Sequence, residues 1–257
     1  MKLSVILITR NEEHNVRACL ESIAWVDEII VVDSGSSDNT VAICKQLGAK
    51  VQVMDWPGFG PQKNRALDLA GGDWVLALDA DERVSAELRG EIQAALVNPG
   101  ENIAICFPRL SSYCGRVMRH SGWWPDYVTR LFKRGHARFS DDLVHERLVV
   151  NGRTAKLKQP LQHEAFRDLE QVLAKLNSYS SAGARMQHHQ GRRASLAGAI
   201  GHGMWTFIRT YVLRAGFLDG REGFMLAVSN AEGAYYRYLK AMLLAEKHPG
   251  AKTINRR

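Results

Sequence analysis

Asp79 and Asp81 stand two residues apart, directly after the apolar run Trp74–Leu78 (WVLAL). Carboxylates at the end of a buried strand offer the hard oxygen ligands that Mg²⁺ or Mn²⁺ prefers, and such an ion commonly bridges to substrate phosphates. The chemistry that needs it is departure of a diphosphate, whose charge grows as its bond breaks. The same spacing also suits a turn or a helix cap. Two similar clusters occur upstream. Thr9, Arg10, Asn11 and Glu12 follow one apolar run, and Asp33 to Asp38 (DSGSSD) end another. Asp33 can accept a hydrogen bond from a base N–H, and Glu12 from ribose hydroxyls. Lys63 and Arg65, in GFGPQKNRAL, can neutralise phosphate or order the site, or simply form a solvated helix face. No GxGxxG dinucleotide loop and no GxxxxGK[ST] phosphate loop is present, so a nucleotide must be held another way.

The elements that position these residues alternate in type. Leu3–Ile8 is a continuous β-branched run, the pattern of a strand covered on both faces, Glu28–Asp33 is a second buried strand, and Lys50–Asp55 and Trp74–Asp79 are a third and a fourth. Between them, Asn11–Trp25 has helical spacing with Asn11 as a candidate cap, Thr40–Leu47 is a helix stopped by Gly48, and Gln62–Ala70 is a third helix. A further helix starts near Ser85. This series predicts a doubly wound, mostly parallel α/β sheet. Right-handed crossovers then bring the carboxyl ends of the strands, and with them the three polar clusters, to one edge.

At this point a resemblance is plain. SVILITRNEE, EIIVVDSGSSDNT, GFGPQKNRAL and WVLALDADE, in that order, resemble the inverting family 2 glycosyltransferases with the GT-A fold, a Rossmann-like sheet. The match covers roughly residues 1–150. It implies a nucleotide-sugar donor, direct displacement with inversion, and Mg²⁺ or Mn²⁺ at the second aspartate, Asp81. It further implies that Thr9 and Glu12, with Arg10 between them, contact base and ribose, that Asp33 reads uracil, and that Asp79 pairs with Asp81.

Inverting transfer also needs a base for the acceptor hydroxyl. Many relatives use an ED motif, which is missing downstream of Asp81; the sequence has Val144-His145-Glu146 instead. Glu146 is the expected base and His145 a metal or phosphate contact. The rival base is Asp126 in GWWPDYVTRLF, where Trp123 and Trp124 can stack on sugar faces or pack in the core, and Arg130 can pair with donor phosphate or with an acidic neighbour.

Residues 161–257 form the expected second segment, a basic helical extension to a catalytic domain at 1–160. Arg167–Gln190 has helical composition, Ala194–Ile208 carries no formal charge, and a last helix runs Phe224–Glu246. The uncharged run is shorter than the roughly 18 apolar residues that span a bilayer. Aromatic residues beside Arg and Lys fit either an interfacial helix on an anionic leaflet or a hairpin packed on the catalytic domain. VHE followed by YVLRAGFLDGREGF resembles bacterial lipopolysaccharide inner-core glycosyltransferases, especially those placing glucose on heptose. That resemblance implies UDP-glucose as donor, a lipopolysaccharide core or other lipid-linked acceptor, and a cytoplasmic location, peripheral on the inner face of the bacterial inner membrane.

Charge supports two jobs in two segments. The 257 residues carry a net +7, but residues 1–146 hold 16 Lys/Arg against 20 Asp/Glu, a net −4, and residues 147–257 hold 18 against 7, a net +11. With 46% hydrophobic residues the chain is no disordered tail. The basic tail lacks a nucleic-acid motif, so nucleic acid is not an expected partner. MKLSVILITRNEE meets charge by Arg10 and reads as a first buried strand rather than a signal peptide. Cys19, Cys44, Cys106 and Cys114 show no metal spacing and read as reduced thiols.

Overall fold

The computed structural model describes residues 1–141 and 147–247. The chain divides into two compact units: Met1–Leu110 with Asp126–His163, and Ser111–Pro125 with the residues from Glu164 onward.

The first unit opens with β1 (Leu3–Thr9), α1 (Glu13–Ser22), β2 (Glu28–Asp33), α2 (Thr40–Gln46), β3 (Lys50–Val53), α3 (Phe59–Asp68) and β4 (Trp74–Asp79). It continues through β5 (Glu82–Val84), α4 (Ala86–Val97) and β6 (Asn102–Tyr113), whose last residues enter the second unit. A two-residue strand β7 (Arg116–Val117) belongs to that second unit, and the first resumes with β8 (Asp126–Lys133), β9 (Ala137–Phe139), β10 (Leu148–Val150), β11 (Arg153–Lys156) and β12 (Leu161–Phe166), whose last three residues enter the second unit. The sheet order is β3-β2-β1-β4-β8-β6-β12-β5. The pairs β1–β2, β1–β4 and β2–β3 are parallel. The pairs β4–β8, β6–β8 and β5–β12 are antiparallel.

Alternation along the buried strands supplies two cores. Leu3, Val5 and Leu7 of β1 point to one face, where they meet Val16, Cys19 and Leu20 of α1 and Leu88 and Ile92 of α4. Ile6 points to the other, with Ala66 and Leu67 of α3 and the rings of Phe132 and Phe139. Both faces being covered explains why these strands read as continuous apolar runs rather than alternating ones. Ser85 caps α4 by accepting from the Leu88 N–H at 3.2 Å. Asn11 does not cap α1. It takes a left-handed conformation (φ 56°), and its side chain accepts from the Ser37 N–H at 2.8 Å, tying the loop after β1 to the loop after β2.

The second unit holds α5 (Leu169–His189), α6 (Leu196–Ile208), a π-helical turn (Arg209–Leu213), a 3₁₀ turn (Gly216–Asp219) and α7 (Gly220–Lys247). Asp168 and Ser195 cap α5 and α6. Buried Asp219 collects the backbone N–H groups of Arg119 and His120, the His120 ring and the Ser121 hydroxyl, which fixes the segment around β7. The four cysteines are free thiols, and burial raises Cys44 to about 11. Among the described residues no helix is long and apolar enough to cross a membrane.

Candidate active site

The site is built at the carboxyl ends of β1, β2 and β4. Asp33 closes β2 fully buried. One of its oxygens accepts from the N–H groups of Gly35 (3.0 Å) and Ser36 (2.8 Å), the other from the hydroxyls of Thr9 (2.9 Å) and Ser36 (2.5 Å). Gly35 reaches this turn with φ +80°, a conformation that favours glycine. Four hydrogen bonds match the lone-pair capacity of a carboxylate, so Asp33 reads a base N–H only where one of them gives way. Glu12 accepts from Asn15 at 2.9 Å. Burial, and then the charges of Asp81, Asp38 and Asp79, raise its carboxyl above its ordinary value against that hydrogen bond.

Asp79, at the end of β4, faces two cations. Lys63 Nζ lies 3.0 Å from one oxygen and Arg130 Nη2 donates to the other at 2.5 Å. Arg130 also donates to Glu82 at 2.6 Å, and Glu82, fully buried, accepts from the Asp79 backbone N–H at 3.0 Å. Burial alone would raise the Asp79 carboxyl, but Arg130 and Lys63 outweigh it and hold it far below the usual carboxylate range. Burial dominates at Glu82; with Asp79 beside it the carboxyl rises above its ordinary value despite Arg130. The Arg130 guanidinium, which burial would lower, is pushed up by the two carboxylates. Arg130 thus serves acidic neighbours, and both oxygens of Asp79 face a cation.

Asp81 differs. Its Oδ1 is buried with no hydrogen-bond partner, and its Oδ2 lies 3.5 Å from His163 Nε2. The β5–β12 pairing sets His163 opposite Glu82, next to Asp81 in sequence. A carboxylate with one orphaned oxygen and the other near an imidazole fits a divalent ion such as Mn²⁺. Among the described residues no group of three or more His, Cys, Asp or Glu could hold a metal. Were a divalent ion bound, Asp81 and His163 would offer it two ligands, with the rest left to substrate oxygens and water.

The other expected residues divide. Lys63 is brought to Asp79, but Arg65 bonds Asp55 (2.9 Å) instead, since residues two apart on a helix do not share a face. Asp126 is paired with Arg109, which donates at 2.7 and 3.0 Å because the β6–β8 register sets the two opposite. Arg109 also lies 3.7 Å from Glu82 and was not evident from the sequence. Arg10 is exposed. In the second unit, Trp123 packs edge-on against Tyr113 (6.0 Å between centroids), and the Arg119 guanidinium lies 5.8 Å from the Trp124 ring. His145 and Glu146 lie outside the described residues.

The open α/β sheet gathers carboxylates, the cations Lys63 and Arg130 and a polar loop cluster at its strand ends, the place where such sheets bind ligands. Residues 4–149 match the model of glycosyl transferase family 2, and the chain belongs to that family. It is 31% identical to an uncharacterized glycosyltransferase of Rickettsia felis, covering 98% of this chain and 93% of the relative. It is also 31% identical to the lipopolysaccharide core biosynthesis glycosyltransferase LpsC of Rhizobium meliloti, covering 96% and 93%. The crystal structure of S. aureus TarS is 16% identical with a TM-score of 0.51, covering 91% of this chain and 55% of that one, a likeness of fold. The fold is GT-A, and the protein is a family 2 glycosyltransferase resembling the lipopolysaccharide core enzymes.

Proposed function

We propose that this enzyme is a metal-dependent inverting hexosyltransferase that moves glucose from UDP-glucose to a lipid-linked acceptor, a heptose of the lipopolysaccharide inner core. The observation that carries the reading is Asp81, whose Oδ1 is buried without a hydrogen-bond partner and whose Oδ2 lies 3.5 Å from His163, while Asp79 is already neutralised by Lys63 and Arg130. A divalent ion, when bound, offsets charge on the departing diphosphate. The chain's own residues do the rest. Thr9, Glu12 and Asp33 hold the nucleoside, Asp79 fixes the geometry of the strand end, and Glu146 takes the proton of the acceptor hydroxyl, with Asp126 the rival for that role. The name of the Rhizobium relative supports a lipopolysaccharide acceptor.

The second unit supports a peripheral membrane location on the inner face of the bacterial inner membrane. Leu196, Ile200, Met204 and Ile208 form an exposed stripe at i, i+4 spacing along α6, extended by exposed Val212, Leu213, Phe217 and Leu218. Exposed Arg192, Arg193 and Arg209 flank the stripe. An apolar face edged by cations suits an anionic leaflet, each nearby Arg contributing about 1 kcal/mol.

The test is a donor screen with Mg²⁺ or Mn²⁺, followed by transfer to heptose-containing core lipid. UDP-glucose hydrolysis that needs metal and is accelerated by the lipid supports the reading. Preference for another nucleotide sugar would replace the donor, and indifference to the lipid would remove the acceptor.

A further inference from the structure

The second unit contains a cavity of about 540 Å³ that the donor site does not use. Tyr113, Trp123 and Phe166 form one wall, packed on one another at 5.8–6.3 Å between centroids. Lys175, Arg209, Arg214 and Arg237 also line it, and no aspartate or glutamate does. Lys175 lies over the faces of Phe166 (4.9 Å) and Tyr179 (5.9 Å). Arg237 Nε is buried without a hydrogen-bond partner. Four cations around one space, with no carboxylate among its walls, repel one another and attract an anion. The unused Arg237 donor adds the forked geometry that phosphate oxygens accept.

The same stretch of chain makes the cavity and an apolar surface. Thr206, Arg209, Thr210 and Arg214 line the space, whereas Trp205, Ile208, Val212 and Leu213, from the same helix and π-helical turn, are exposed. An anion held here has apolar surface around the helix from its binding groups.

We infer that this cavity binds the phosphate of an amphiphile, a phosphate ester carried on an apolar tail. The inference deepens the acceptor side of the proposed function and rests on that reading only for the identity of the amphiphile with the acceptor. Trp123 then contacts the acceptor as a wall of this cavity.

The experiment is calorimetric titration of the full chain with dodecyl phosphate below its micelle concentration, so that no membrane surface takes part. The expected result is saturable binding that Arg237→Gln and Lys175→Gln each weaken about tenfold, as for loss of one hydrogen bond to a charged group. Arg17→Gln and Arg153→Gln, exposed and in the first unit, leave it unchanged. Inorganic phosphate binds more weakly, and neutral dodecyl maltoside does not compete. Thermal melts show which variants are folded, and Arg214→Gln, at an exposed position, replaces any that is not. Undiminished binding in the folded cavity variants would overturn the inference. So would equal affinity for inorganic phosphate, which makes this a free-phosphate site, or displacement by dodecyl maltoside, which makes it an apolar one. Donor hydrolysis, read separately, reports on the glycosyl-transfer reading whatever the titration shows.

Discussion

His163 Nε2 stands 3.5 Å from Asp81 Oδ2, delivered there by the antiparallel pairing of β12 with the three-residue strand β5. The relationship joins the carboxylate after β4 to a residue far along the chain. It gives Asp81 a partner of a different chemical type from the two cations that face Asp79.

If His163 completes the metal-binding pair, His163→Ala weakens the ion without removing Asp81. Activity then requires at least about tenfold more Mn²⁺, in the range seen when the support of a metal site is damaged, while kcat at saturating metal falls less. A metal titration reads this. An unchanged half-saturating Mn²⁺ concentration would leave His163 with a structural role alone.

Arg130 neutralises two carboxylates, buried Glu82 and half-buried Asp79, through one guanidinium. Arg130→Met leaves both without it and should cost about 3–5 kcal/mol, as when a buried ion pair loses one partner. Arg65→Ala, which breaks a pair with largely exposed Asp55, should cost less than about 1 kcal/mol. Urea unfolding of the two variants compares them directly; equal losses would contradict the distinction.

The contrast between Lys63 and Arg65 also marks what the sequence could and could not reveal. Most of the parallel half was legible because β1, β2 and β4 are covered on both faces, which writes them as apolar runs ending in Thr9, Asp33 and Asp79. Helical periodicity alone could separate Lys63 from Arg65 only with the buried face known. His163 and Arg109 were not legible, because each reaches the site through the register of an antiparallel pair between distant segments, and neither LQHEAF nor NIAICFPRLSSY announces its partner. A domain boundary at 160 falls just before the strand that carries His163; the compact unit holding Asp81 continues to that residue. The segment 111–125, in turn, belongs with the helices because Asp219 gathers its backbone.

Glu28 links β1, β3 and the turn before β4, accepting from Ser4 Oγ (2.6 Å), Lys50 Nζ (2.7 Å) and the Gly71 N–H (2.9 Å). Burial would raise its carboxyl, but these bonds outweigh it and lower it from the ordinary 4.5 to about 2. A carboxyl lowered in the folded state adds stability that is complete above 4.5 and lost as pH falls through about 2. Glu28→Gln should therefore destabilise the protein at neutral pH and flatten the acid limb of its stability profile over that window. Parallel profiles for the two proteins would contradict this.

The proton acceptor is decided by two isosteric changes. Glu146→Gln should lower kcat by about 10²-fold or more, the contribution of a general base, with donor KM little changed. Asp126→Asn should disturb the pair with Arg109 and cost less in kcat. The reverse order would assign the base to Asp126.

The central claim is that Asp81 holds the divalent ion on which donor cleavage depends. Its most direct test is Mn²⁺-dependent hydrolysis of UDP-glucose by the wild type and by Asp81→Ala, with folding confirmed by circular dichroism. The expected result is wild-type turnover that EDTA abolishes and Mn²⁺ restores, and a folded variant inactive at every metal concentration. Full turnover by Asp81→Ala, or wild-type turnover undiminished in EDTA, would contradict it.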